Sequence, residues 1–194
     1  LYYNRVLGVP AGLVGTALAI ALIFDGISDP LVGYASDKFR SRWGRRHPFM
    51  YFAILPLTVL VYLIWNPPHE SLDPQGLFIY LICIAVPLRL ILTFFEVPVN
   101  ALIPEITDEY DERTRLAIYR VSAAWAANAV LAILLYGYWL RDTPEHPNGI
   151  LNIAGYEQMG MASAIVIFVG MLLCSIGLHP LIPRLKRPPD GRAW

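Results

Sequence analysis

Apolar residues fill five long stretches of this chain, at residues 11–34, 49–65, 76–103, 117–140 and 159–182, while most charged residues crowd into the short connections. Each stretch is near the roughly 20 residues that a helix needs to cross a hydrocarbon core. The second is a little short. The third is long enough that it must tilt, kink or overrun the bilayer, and Pro87 and Pro98 are its candidate kink sites. The pattern predicts an all-α integral membrane fold with five transmembrane helices.

The connections orient those helices. Lys38, Arg40, Arg42, Arg45 and Arg46 fall in the first, Arg113 and Arg115 in the third, and Arg184, Lys186, Arg187 and Arg192 after the last span. Only Arg5 and Arg141 fall on the opposite side. Short cytoplasmic loops concentrate Lys and Arg, so the loop at 37–48 is expected inside, with the N-terminus outside and the C-terminus inside. Trp65, Tyr136, Tyr138 and Trp139 sit at the predicted outer span ends, where amphipathic rings prefer the interface. Pro67 and Pro68 break up one outer connection, and Pro144, Pro147 and Gly149 the other. Neither leaves room for an external domain.

Composition agrees. Of 194 residues, 56% are hydrophobic and 15% charged, with a mean hydropathy of +0.50. An ordinary soluble domain carries about 25% charged residues. The formal net charge of +0 argues neither for nor against nucleic acid, which is not expected as a partner; the basic residues matter by position instead. Cys83 and Cys174 lie in different spans without metal-ligand spacing, and the four histidines are scattered. With no nucleophile and base set, no metal set and no phosphate loop, an enzyme is not expected. The start at Leu1, without an initiator Met or a charged segment before a cleavage site, reads as a cut end. The expected organisation is residues 1–10 as the outer end of a truncated helix and loop, 11–183 as a five-helix body, and 184–194 as a basic cytoplasmic segment.

The polar residues inside the spans are candidates for function. A carboxylate at membrane depth costs about 3 kcal/mol on insertion scales. Asp25 and Asp29 are nevertheless four residues apart, on one helix face that Ala21, Gly33 and Ser36 continue with small side chains. Such a face suits close packing or a watery cavity. In the third span Arg89, Thr93, Glu96 and Asn100 form one stripe, at offsets of 0, 4, 7 and 11 residues. Arg120, Ala124, Ala127 and Asn128 form another on the fourth. An ion pair of the aspartates with Arg120 would only fix packing, yet two adjacent acids exceed what one arginine needs. Glu96 either pairs with Arg89 or contacts a ligand, and Arg89 alone reads as structural. Arg120 serves equally well as counter-ion or binding residue.

Two motif blocks carry a resemblance. Gly33, Asp37 and Lys38, followed by Arg42, Trp43, Gly44, Arg45 and Arg46, resemble the loop signature between the second and third helices of the major facilitator superfamily. Asp25-x-x-x-Asp29-Pro30 is more narrowly similar to the glycoside-pentoside-hexuronide:cation symporters, the melibiose permease family. So is the block from Glu96-Val97-Pro98 through Pro104, Glu105, Ile106, Thr107 and Asp108 to Glu112, Arg113, Arg115, Tyr119 and Arg120. The resemblance implies a secondary active transporter coupling a sugar or glycoside to H+ or Na+, without an organic cofactor. It implies cation binding at Asp25 and Asp29, with Na+ one candidate there. It implies substrate contacts at Glu96, Arg120 and, on the same helix face, Asn128. Melibiose permease has Asp at the Glu96 position, and an arginine one turn before the first acid is Leu22 here. The fold implied has twelve helices in two halves, of which this chain matches helices two to six, so one partner would be the missing C-terminal half. The setting expected is the bilayer of a bacterial inner membrane.

A coupling scheme follows. Two close carboxylates repel, and a proton or sodium ion relieves the cost. On the cytoplasmic side, Arg42, Arg45 and Arg46 with Asp37, and Arg113 among Glu105, Asp108, Asp111 and Glu112, would form a gate latch. Exposed pairs contribute only about 0–1 kcal/mol each, so several must act together; the alternative is simple solvation of both loops. A non-transporting membrane module, or a lipid carrier of the same fold with an apolar groove beside Arg120, are the other readings the sequence leaves open.

Overall fold

The computed structural model describes residues 2–39, 41–107, 109–142 and 147–184. Five long helices carry the apolar stretches: α1 (Ala11–Lys38), α2 (His47–Trp65), α3 (Pro74–Ile106), α4 (Tyr110–Leu134) and α5 (Ile153–Leu178). A π-helical turn at Tyr2–Val6 precedes α1, and another at Leu135–Trp139 continues α4. No strand occurs among the described residues. In hydrocarbon each backbone amide must be satisfied within its own segment, which is why an apolar run of this length folds as helix.

The helices outrun the apolar stretches at several ends, because a polar first or last turn can be helical without being apolar. α3 begins where Asp73 accepts a hydrogen bond from the amide of Gly76 at 2.8 Å, with Pro74 in the first turn. Asp111 and Glu112 occupy the first turn of α4, where the helix dipole favours acids. α3 runs unbroken through Pro87, Pro98 and Pro104.

α1 packs on α3, and α2 packs on both α3 and α5. The start of α1 shares a core with the start of α3, through Ala17 and Ala21 against Leu77, Leu81 and Ala85. These two helices therefore run parallel. Tyr51 near the start of α2 reaches the carbonyl of Ser175 near the end of α5 at 3.3 Å, so α2 and α5 run antiparallel. Tyr2 stacks on Tyr156 with ring centroids 4.6 Å apart, and Tyr3 donates to the carbonyl of Ile64 at 2.9 Å. Those contacts clamp the first turn onto the end of α2 and the start of α5. None of the described residues of α4 is buried.

Candidate cation and substrate site

The parallel packing of α1 on α3 has a constant register. Asp25 faces Arg89 and Asp29 faces Thr93, each 64 residues further along the chain, and Gly33 faces Val97 in the same step. The pairs advance four residues at a time on both helices, because each helix presents its i, i+4 row. Small residues make the approach possible. A Cβ added at Gly33 would lie 3.6 Å from Val97 Cγ1, and Ser28, Val32 and Ser36 are buried in the same seam.

Midway along both helices the seam becomes polar. Arg89 Nη1 donates to Asp25 Oδ2 at 3.2 Å, forming an ion pair between half-buried side chains. The Thr93 hydroxyl oxygen lies 3.0 Å from Asp29 Oδ1, 3.2 Å from Asp25 Oδ1 and 3.1 Å from the carbonyl of Arg89. Ser28 Oγ is 3.5 Å from it and donates to the Asp25 carbonyl at 3.1 Å. A hydroxyl carries one proton, so Thr93 can satisfy only one of its three acceptors at a time. With one guanidinium, held by Asp25, for two carboxyl groups, the cluster is formally one positive charge short. Chemically, the arrangement can take up one proton or one small monovalent cation among its oxygens.

The next steps of the seam lead to the first connection. Arg46, only 6% exposed, pairs with Asp37 Oδ1 at 2.8 Å and also donates to the carbonyl of Ala101. One guanidinium thus ties the end of α1 to the α3 backbone. Gly44 lets the loop turn to deliver it, with φ of +79°, a conformation that side chains with a Cβ rarely adopt. Arg42 is exposed and Arg45 half-buried. Arg113 donates to the carbonyls of Thr107 at 2.8 Å and Pro104 at 3.1 Å, capping the end of α3. Asp108 and Arg40 lie outside the described residues, as do residues 185–194.

The other candidate residues are not drawn into this cluster. Glu96 and Arg120 are exposed and make no hydrogen bond or ion pair among the described residues. Arg120 borders a groove of about 350 Å³ between α3, α4 and α5, walled by Leu102, Ile103, Leu173 and Cys174. Asn128 donates to the carbonyl of Ala124 in its own helix at 2.9 Å. Two alternative pairings weighed from the sequence are not formed among the described residues. Asp25 pairs with Arg89 rather than Arg120, because α3 and not α4 packs against α1. Arg89 consequently does not pair with Glu96, two helical turns away on its own helix. The sequence spacing places Thr93 in the polar stripe but gives neither Thr93 nor Ser28 a role. The available signal for Thr93 was its place four residues beyond Arg89.

Comparison with known proteins agrees with this architecture. A family model described as MFS/sugar transport protein matches residues 1–192. An uncharacterised symporter of Synechocystis is 35% identical over 96% of this chain and 35% of its own length. The inner membrane symporter YicJ of Escherichia coli is 34% identical over 69% of the chain and 29% of its own length. A glucuronide carrier protein homolog of the same organism is 30% identical over 97% of the chain and 40% of its own length. The chain thus spans between about three tenths and two fifths of the length of these relatives. Five apolar helices and the family match make it a multi-pass integral membrane chain, and the bacterial relatives it matches are named as symporters. The chain belongs to the MFS/sugar transport protein family of the major facilitator superfamily, on the glycoside-pentoside-hexuronide symporter side of it.

Proposed function

We propose that the whole protein is a secondary active symporter that moves a sugar or glycoside together with H+ or Na+, and that this chain supplies part of its N-terminal half. The observation that carries this reading is the mid-helix cluster of Asp25, Asp29, Arg89 and Thr93, which is one positive charge short. Uncompensated charge at that depth is costly unless something is meant to bind there. Cation uptake neutralises Asp29 and stabilises the α1–α3 seam. The state so favoured binds sugar through Glu96, Arg120 and Asn128, and the two halves then rock to open inward. The ion drives the cycle only by binding one state more tightly than the other.

In this reading residues 1–10 form the outer end of a helix and loop, 11–183 the five-helix body, and 184–194 a basic cytoplasmic segment. Gly33, Asp37, Arg42, Gly44, Arg45 and Arg46 then form one side of the cytoplasmic gate, with Asp108 and Arg113 on the other. The Asp37–Arg46 pair at 2.8 Å supports this reading of the gate. The test is uptake of radiolabelled sugars and glycosides by membrane vesicles containing the full-length carrier, under imposed proton or sodium gradients. Asp29→Asn is expected to abolish cation-driven accumulation with normal membrane insertion. Accumulation against a gradient that survives in Asp29→Asn would overturn the scheme.

A further inference from the structure

We propose that His47 is a cytoplasmic pH sensor: its enclosed ring is neutral while Arg46 holds Asp37, and a proton taken up from the cytoplasm opens that latch. This inference rests on the gate reading above. His47 stands at the start of α2, ahead of the apolar stretch at 49–65 and on its cytoplasmic side. It is 1% exposed, yet neither ring nitrogen has a hydrogen-bond partner among the described residues. Buried polar atoms are nearly always paired, so an imidazole enclosed in this way is a marked exception.

Two walls enclose the ring. One is the turn at Gly44, where an added Cβ would stand 3.8 Å from His47 Nδ1 and 3.4 Å from Ile182 Cγ2. The other is the end of α5, where the His179 ring lies nearly perpendicular to that of His47, with centroids 5.9 Å apart. His179 is exposed, and its Nδ1 lies 3.1 Å from the Tyr51 hydroxyl, which reaches the Ser175 carbonyl at 3.3 Å. That hydroxyl has one proton to give, so with Ser175 as its acceptor His179 Nδ1 is the donor to it. Tyr51 thus fixes His179 beside His47.

A proton on His47 upsets this arrangement. The charged ring carries two N–H donors and no acceptor, and burial disfavours the charge. The Leu178 carbonyl lies close enough to favour the charge without bonding the ring as it stands, whereas His179 opposes it. The first connection adds Arg45 and Arg46, and the helical turn that continues α5 ends at Arg184. α1 adds Asp37, which Arg46 already holds at 2.8 Å, and α3 offers Arg46 the carbonyl of Ala101. The charged ring therefore gains by reaching water, and the Gly44 turn is the cover that lifts without parting α2 from α5. Arg46 joins that turn to His47 in the chain, so lifting it draws the guanidinium off Asp37 and Ala101. When the proton returns to the cytoplasm the turn closes again, with no covalent change beyond the proton's own bond.

The experiment uses inside-out vesicles containing the full-length carrier, so that the medium bathes the cytoplasmic side. Its native cysteines are replaced, and Ser36, 1% exposed in the α1–α3 seam, is changed to cysteine. Labelling by an impermeant maleimide is read at about pH 5.5 and about pH 7.5, on either side of the ordinary histidine range. Each rate is divided by that of the unfolded carrier at the same pH, which cancels the titration of the thiol. Labelling is expected to be at least about tenfold faster at the lower pH, and His47→Gln is expected to remove the difference. His179→Gln removes a group that opposes the charge, so it is expected to keep the response and move its midpoint to higher pH. A folded His47→Gln carrier that still responds overturns the sensor, and so does an unmoved midpoint in His179→Gln, a test that stands even if His47→Gln does not fold. Asp37→Asn separates the two levels of the argument, because it is expected to label fast at both pH values. Slow labelling of Asp37→Asn sinks the gate reading itself, whereas fast labelling there without an acid response in the parent sinks the sensor alone.

Discussion

Thr93 is the residue on which the two acids of α1 converge, and its hydroxyl is the part that matters. Thr93→Val keeps the shape of the side chain, yet removes the donor shared by the half-buried Asp25 and the exposed Asp29, at a cost of about 0.5–1.5 kcal/mol. The expected outcome is a folded carrier whose cation-driven accumulation falls at least about tenfold, with activity regained in Thr93→Ser. Vesicle uptake and thermal unfolding measured on the same preparations check both parts. Gly44 offers a second test, of backbone rather than chemistry. At φ of +79° an alanine is strained, and its Cβ would lie 3.4 Å from Ile182. Gly44→Ala is expected to lower stability by about 1–2 kcal/mol, seen as a lower Tm in detergent.

At the scale of helices, the α1–α3 seam works because three successive steps, Asp25 to Arg89, Asp29 to Thr93 and Gly33 to Val97, keep one register. At the Gly33 step, Val97 lies at ordinary contact distance from the Cβ that Gly33 lacks. Gly33→Ala should therefore be nearly silent, whereas Gly33→Phe must push the helices apart and open the 3.0 Å contact between Thr93 and Asp29. The measurement is cation-driven uptake with helicity followed by circular dichroism; loss of coupling with helicity retained is the expected result. Arg46 closes the seam at its far end from a nearly buried position. Its hydrogen bonds join a carboxylate on α1 to a carbonyl on α3, so Arg46→Gln is expected to lose about 1.5–3 kcal/mol of stability. Arg42→Gln, on the exposed part of the same loop, should change it by less than about 0.5 kcal/mol. Equal shifts in Tm for the two variants would contradict the asymmetry.

For the molecule as a whole, the packing is uneven. α1, α2, α3 and α5 bury one another, while α4 holds Arg120 and Asn128 on a helix none of whose described residues is buried. The proposed sugar residues therefore do not close around a volume in this chain, and the chain spans only part of the length of its relatives. Reconstituted alone in liposomes, these 194 residues are expected to accumulate no sugar under either ion gradient, although they insert with five helices. Sugar uptake by this segment would show that the binding wall is complete without further chain.

The five spans and their polar stripes were legible in the sequence because a bilayer imposes a length and an apolar composition on each helix separately, without reference to its neighbours. The pair of acids was legible for the same reason: Asp25 and Asp29 stand out against the apolar residues around them, and their four-residue spacing sets them on one face. Local spacing also brought the motifs of the first connection to notice before any contact was known. The partner of Asp25 was not legible. Arg89 and Arg120 both lie within the apolar spans, with Glu96 as a competing acid, and nothing in their spacing says which arginine reaches α1. The packing of α3 rather than α4 against α1 decides it, and the same register gives Thr93 and Ser28 their roles. Local periodicity orients a side chain around its own helix, but only tertiary packing determines which residue, 64 positions further along the chain, stands opposite.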